Sequence, residues 1–95
     1  MVVHIVSFKY KAEASGDQRA DHRAKLKRLA DIDGILDFKV GEDVIRSARS
    51  FDTGLVILFR DRASLDGYAS HPRHVPVAQL GRDLSETIVA VDFDA

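Results

Sequence analysis

The chain has 95 residues, 45% of them hydrophobic and 31% charged, with a net charge of −1. That length makes one domain, and the near-neutral balance gives no electrostatic basis for a nucleic-acid or anionic-membrane partner. Cysteine is absent, which excludes disulfide and thiolate chemistry. No run approaches the ~18 apolar residues of a membrane span, so a cytoplasmic protein is the expectation.

Residues 2–11 alternate as a strand does. Val2, His4, Val6, Phe8 and Tyr10 share one face, and Val3, Ile5, Ser7, Lys9 and Lys11 the other. His4 is the polar member of the apolar face. It reads either as a buried histidine bonded to backbone or as one pointing into a cavity. Residues 12–16 form a turn, and Ser15 or Asp17 can cap the helix that follows. That helix, residues 17–33, carries His22, Leu26, Leu29 and Ala30 on one stripe, with His22 expected at the rim of the core. Arg19, Arg23, Lys27 and Arg28 fall mainly elsewhere and are offset by Asp17, Asp21, Asp31 and Asp33, the pattern of a solvated face. Gly34 is placed as the left-handed residue that closes the helix.

Residues 35–45 read as a second strand. Leu36, Phe38, Val40 and Val44 alternate with Asp37, Lys39 and Asp43, and Gly41 suggests a bulge. A polar connection, residues 46–52, leads to residues 54–60, which are apolar on both faces as in a covered central strand. Arg62 to Tyr68 is a short helix with Asp61 as its candidate cap. It ends near Ser70, and the chain breaks at His71-Pro72, because proline fits the first turn of a helix and not its interior. A second helical stretch, Val75 to Leu84, turns Val77, Leu80 and Leu84 inward, and residues 86–93 make the last strand. That strand puts Ile88 and Ala90 on one face and Val89, Val91 and Phe93 on the other.

Strand, helix, strand, strand, helix, strand is the ferredoxin-like βαββαβ order, an α+β fold with a four-stranded antiparallel sheet. The helices cover one sheet face. The third and fourth strands are apolar on both, so the bare face is expected to meet a second copy, sheet against sheet, in a twofold dimer.

The segment Tyr68-Ala-Ser-His-Pro-Arg-His74 gathers one of the two tyrosines and two of the four histidines at the helix break. An imidazole suits general-base work near neutrality, and a tyrosine hydroxyl can donate a hydrogen bond to a developing enolate oxygen. His74 is therefore the candidate base, Tyr68 the oxyanion donor, and His4 an orienting or binding group. Val6 and Phe8, on the face of His4, are the candidate apolar ligand contacts. His71 is kept with the ligand-binding group, although bonding a backbone group freed at Pro72 is its favoured role. His71 and His74 stand at i, i+3 and His4 could join them, but no cysteine and no inward carboxylate pair completes a metal site. No metal and no cofactor is expected, and Asp92 and Asp94 are read as charges that blunt a strand edge.

The start His4-Ile-Val-Ser-Phe-Lys-Tyr-Lys, the segment Gly54-Leu-Val-Ile-Leu-Phe, the motif Tyr68-Ala-Ser-His-Pro-Arg-His-Val75 and the ending Ile88-Val-Ala-Val-Asp-Phe93 resemble the stress-responsive A/B barrel (Dabb) family over nearly the whole chain. The resemblance implies a homodimeric α/β barrel with a pocket between each sheet and its own helices. A plant polyketide cyclase of that family carries a strand-one histidine like His4, and a tyrosine and histidine flanking His-Pro like Tyr68 and His74. The latter two have acid–base roles there in a cofactor-free aldol-type cyclisation. The first helix here offers Ala20, Ala24 and Leu26 where that enzyme has large aromatic residues, which leaves the substrate open. The resemblance thus implies a small apolar or aromatic ligand and either acid–base chemistry on a polyketide-like or phenolic substrate, binding without turnover, or a structural stress-response role. Cofactor-free monooxygenase chemistry, known in related dimeric barrels, is a further alternative.

Overall fold

The computed structural model describes all of residues 1–95. The elements run β1 (Val2–Tyr10), α1 (Gly16–Lys27), β2 (Ile35–Glu42), β3 (Thr53–Phe59), α2 (Arg62–Ala69), α3 (His74–Leu84) and β4 (Ser85–Asp94). The four strands form one antiparallel sheet in the order β2-β3-β1-β4. This is the ferredoxin-like arrangement, with the second helical region divided in two at the Ser70–Arg73 break.

Local chemistry accounts for the helix starts. Ser15 Oγ accepts from Gln18 N while the Gln18 side chain accepts from Ser15 N, a reciprocal capping box at the head of α1. Asp61 does the same work for α2, accepting from Ser64 N at 2.8 Å. At the break, the His71 carbonyl accepts from His74 N and Val75 N, starting α3 without a side-chain cap. Pro76 then falls in the first turn of α3, where an N–H has no helical partner to lose.

Several expected boundaries move. α1 ends at Lys27 rather than at residue 33, and short turns carry the chain through Leu29 and Ile32 into the core. Gly34 lies beyond them at φ 91°, and a side chain there would meet Ser64 at 2.4 Å, so both conformation and space demand glycine. The bulge in β2 is at Leu36, not Gly41. Ile35 pairs Phe59 and Asp37 pairs Leu58, so Leu36 is the extra residue, whereas Gly41 pairs Gly54 in register. The extra residue turns Leu36 outward and lets Ile35, Phe38 and Val40 pack on the core. Val44 lies beyond the strand and is 87% exposed.

The core lies between the sheet and the helices. Val2, Val6, Phe8 and Tyr10 of β1 and Leu55, Ile57 and Phe59 of β3 meet Leu26, Leu29, Ile32 and Tyr68. The opposite sheet face carries no helix. There β1 pairs Val3 with Phe93, Ile5 with Val91 and Ser7 with Val89, and Val56, Val89, Val91 and Phe93 are exposed. β3, read as covered on both faces, is covered on one within the single chain.

Candidate functional site

A cavity of ≈220 Å³, half open to solvent, lies between the sheet and the helices and is lined mostly by apolar side chains. Val6 and Phe8 from β1 and Ile88 and Ala90 from β4 line the sheet side. Strand alternation puts all four on the inner face beside His4, because β1 pairs Val6 with Ala90 and Phe8 with Ile88. α1 contributes His22 and Leu26, α2 contributes Tyr68, and α3 contributes His74, Val77 and Arg82. The helix break thus brings Tyr68 and His74 to one wall, with ring centroids 4.2 Å apart and planes at 37°. His4 stands 6.2 Å from the Tyr68 ring.

Each polar side chain has a defined hydrogen-bond state. His74 Nδ1 lies 3.1 Å from the Ala69 carbonyl oxygen, which can only accept, so Nδ1 carries the proton and Nε2 of the neutral ring keeps its lone pair. Burial lowers the His74 pKa; the Ala69 contact opposes that shift, and the positive forms of His4, Arg82 and His71 add to it. The Tyr68 hydroxyl is buried and has no hydrogen-bond partner, and burial alone raises its pKa strongly. It therefore stays a neutral O–H donor across the physiological range. His4 Nδ1 donates to the Asp92 carboxylate across the β1–β4 pair, so its Nε2 is the free nitrogen of the neutral ring. Asp92 is on the edge strand, as expected, but its carboxylate also orients a cavity histidine. A second, more open cleft of ≈540 Å³ lies on the far side of His4, bordered by Arg62, Asp66, Asp92 and Asp94.

His71 is outside the cavity. Its Nδ1 accepts from Arg73 N at 3.0 Å, so it serves the turn ahead of α3 and does not join the other ligand-binding candidates. Arg73 Nη2 reaches Asp31 Oδ1 at 2.8 Å, which ties that turn to the chain following α1.

His22 corrects the sequence reading in the other direction. It is fully buried, not at the rim. Tyr10 Oη donates its single hydrogen to Thr53 Oγ1 at 2.9 Å, so at its 2.7 Å contact with His22 the Nδ1–H must donate to Oη. Arg23 Nη1 extends the chain to Thr53 at 3.4 Å. Nε2 of His22 is left with no partner. Burial, helped by the Arg23 charge, lowers the His22 pKa to about 4, so the ring is neutral at pH 7. The i, i+4 spacing of His22 and Leu26 could have signalled an inward histidine, but its partner Tyr10 lies on another element and leaves no local pattern.

No group of three His, Cys, Asp or Glu side chains converges as a metal site would require. A family model described as Stress responsive A/B Barrel Domain (Dabb) matches residues 2–95. No curated protein sequence matches the chain. Among solved structures, a dimeric ferredoxin-like protein of unknown function from Thermobifida fusca superposes with a TM-score of 0.91 at 23% identity, covering 99% of this chain and 90% of its own. A dimeric ferredoxin-like protein of unknown function from Jannaschia sp. is 26% identical with a TM-score of 0.84, over 99% and 98% of the two chains. A hydroxynitrile lyase from Passiflora edulis is 24% identical with a TM-score of 0.85, over 97% and 90%.

Proposed function

This chain belongs to the stress-responsive A/B barrel domain family, and on that premise we propose that it is a homodimer that binds a small phenolic or polyketide-like molecule in the cavity and performs cofactor-free acid–base chemistry on it. The observation that carries the reading is the wall formed by Tyr68 and His74. A buried hydroxyl with no partner stands beside an imidazole whose Nδ1–H is taken up by the Ala69 carbonyl. In the neutral ring, His74 Nε2 is the base that removes a proton from an acidic C–H or a phenolic O–H. Tyr68 donates to the oxygen on which negative charge then develops. His4, held by Asp92, orients the ligand, and Val6 and Phe8 supply apolar contact. The volume of ≈220 Å³ is below the roughly 300–1,000 Å³ of drug-sized ligand pockets, which favours a single-ring or short-chain ligand.

The homodimer rests on the bare apolar face. Val3, Ile5, Val56, Val89, Val91 and Phe93 share one apolar sheet face, and a second sheet at ~10 Å would remove it from water. The Thermobifida and Jannaschia neighbours, described as dimeric, support this. The Passiflora neighbour supports enzyme chemistry on this fold at the level of analogy only.

The test is a pH titration of the histidine ring resonances with and without a panel of simple phenols and β-diketones, followed by turnover assays on whichever class binds. The expected result is that His74 and His4 respond to the same ligands, and that His74→Ala lowers turnover by about 10²–10⁴-fold without unfolding the protein. Ligand returned unchanged at every pH would reduce the reading to binding without catalysis. No response from either ring would refute the pocket.

A further inference from the structure

The cavity carries a charge that no part of the fold uses. None of the residues lining it is acidic, and Arg82 alone has a permanent positive charge. Six of the nine arginines pair with an aspartate or glutamate, whereas Arg28, Arg49 and Arg82 do not. Of these three, only Arg82 is at the cavity. Its one side-chain hydrogen bond runs from Nη2 to the neutral amide oxygen of Gln79, at 3.0 Å. The adjacent carboxylate, Asp83, accepts from Gln79 Nε2 instead, at 2.8 Å. A guanidinium has five N–H donors, so most of those on Arg82 are left to solvent.

The helix explains why that charge stands where it does. His74, Ala78 and Arg82 follow one another at i, i+4 and i+8 along α3, and all three line the cavity. Eight residues of helix rise ~12 Å, and side chains on a helix lean toward its N-terminus, which shortens the gap from Arg82 to His74. The two are close enough for the Arg82 charge to help lower the His74 pKa. Arg82, Ile88 and Ala90 are the exposed members of the lining, so the cavity opens between the last turns of α3 and the edge strand β4. A ligand entering there with its reactive group at His74 leaves its other end beside the guanidinium. A cation in the last turn also suits the α3 dipole, but every face of that turn would serve the dipole equally, and only one meets the cavity.

We infer that Arg82 determines ligand specificity at the cavity mouth: its guanidinium pairs with a carboxylate of the ligand. The ligand class is therefore a small aromatic acid, a single ring with a hydroxyl at the end that reaches His74 and a carboxylate at the end that stays at the mouth. This rests on the cavity reading above and adds to it the charge of the ligand. The apolar lining takes the ring, and a guanidinium meets a carboxylate through two parallel N–H···O bonds. At the mouth the carboxylate stays partly hydrated, which keeps its desolvation cost small.

The probes are 4-hydroxybenzoate and 4-hydroxybenzamide, which share a shape and differ in charge. In the wild-type protein at pH 7, the acid is expected to bind about 5- to 10-fold tighter than the amide, and the preference should shrink as salt is raised. Both probes should move the His74 ring resonance, and only the acid should move the Arg82 Nε–H resonance. Arg82→Gln should bring the two affinities together. Arg82→Lys should keep part of the preference, and Arg49→Gln, at an exposed arginine away from the cavity, should keep all of it. Arg82 is exposed, so its replacement leaves the core intact. Equal affinities in the wild type, a preference that survives Arg82→Gln, or an acid that moves Arg82 without moving His74 overturns the anchoring role and leaves the cavity reading intact. An acid that fails to bind where phenol binds does the same. Failure of both probes and of phenol to bind overturns both.

Discussion

The chain contains two tyrosine–histidine pairs, and they are built differently. Tyr10 and His22 meet edge to face, with ring centroids 5.6 Å apart at 82°, and their polar atoms are joined at 2.7 Å. Tyr68 and His74 lie closer, at 4.2 Å and 37°, yet their polar atoms are not bonded to each other. In the first pair the hydroxyl is consumed: it takes the His22 proton and passes its own to Thr53. In the second pair the hydroxyl is left free, and the histidine proton goes to backbone. The same two residue types thus make a strut in one place and a pair of unspent polar groups in the other. What separates them is the presence of a third partner, Thr53, beside the first hydroxyl and none beside the second.

The largest expected effect tests the strut. A histidine that folds with a lowered pKa must stay neutral in the native state, while the unfolded chain takes up its proton near pH 6.5. Between the two pKa values the unfolded state binds more protons, so stability is complete above pH 6.5 and falls as pH drops. For His22 the window runs from 6.5 down to about 4. With the ring fully buried, this removes roughly 3 kcal/mol of stability across the window. His74 is lowered too and acts in the same direction over the upper part of that range. Denaturation midpoints measured from pH 7 to 4 should decline more steeply in the wild-type protein than in His22→Asn. Parallel curves would mean that His22 is not the buried neutral group described here.

Next in size is Tyr10→Phe. It leaves the His22 Nδ1–H and Thr53 Oγ1 without their shared partner inside the core, and should destabilise by about 1–3 kcal/mol, read as a lower denaturant midpoint at unchanged slope. Thr53→Val removes only the far end of the chain. It should lose about 1 kcal/mol, and its effect should not add to that of Tyr10→Phe, because the two share one network.

The two pairs also differed in how much the sequence disclosed. The period-2 pattern of residues 2–10 put His4, Val6 and Phe8 on one face, and Pro72 marked the break that brings Tyr68 and His74 together; both are local signals, and both correspond to positions in the fold. The strut is hidden because its members are separated by 12 and 43 positions and meet only when β1 pairs with β3 and α1 packs on the sheet. Polarity alone suggested a rim for His22, whereas a hydrogen-bonded imidazole can be wholly internal. The orienting role of Asp92 was hidden for the same reason, since it depends on the β1–β4 register that sets it opposite His4. Residue type points to Gly41 for the bulge, but an antiparallel strand can place its extra residue at a side chain as large as leucine when that side chain turns to solvent.

The smallest effect has the opposite sign and separates the pairs most directly. Tyr68→Phe deletes a hydroxyl that is buried and bonded to nothing, so the native state loses no hydrogen bond and sheds a desolvated polar atom. The aromatic packing against Phe59, at 5.2 Å, is retained. Stability should therefore be unchanged or rise by about 1 kcal/mol, where the chemically identical change at Tyr10 lowers it. The same variant should bind the phenols or β-diketones that enter the cavity more weakly, because the donor offered to their oxygen is gone. A protein that becomes no less stable while its ligand binding weakens has kept that hydroxyl for an occupant. A Tyr68→Phe protein that is destabilised as Tyr10→Phe is would show that the Tyr68 hydroxyl has a structural partner after all, and the contrast between the pairs would collapse.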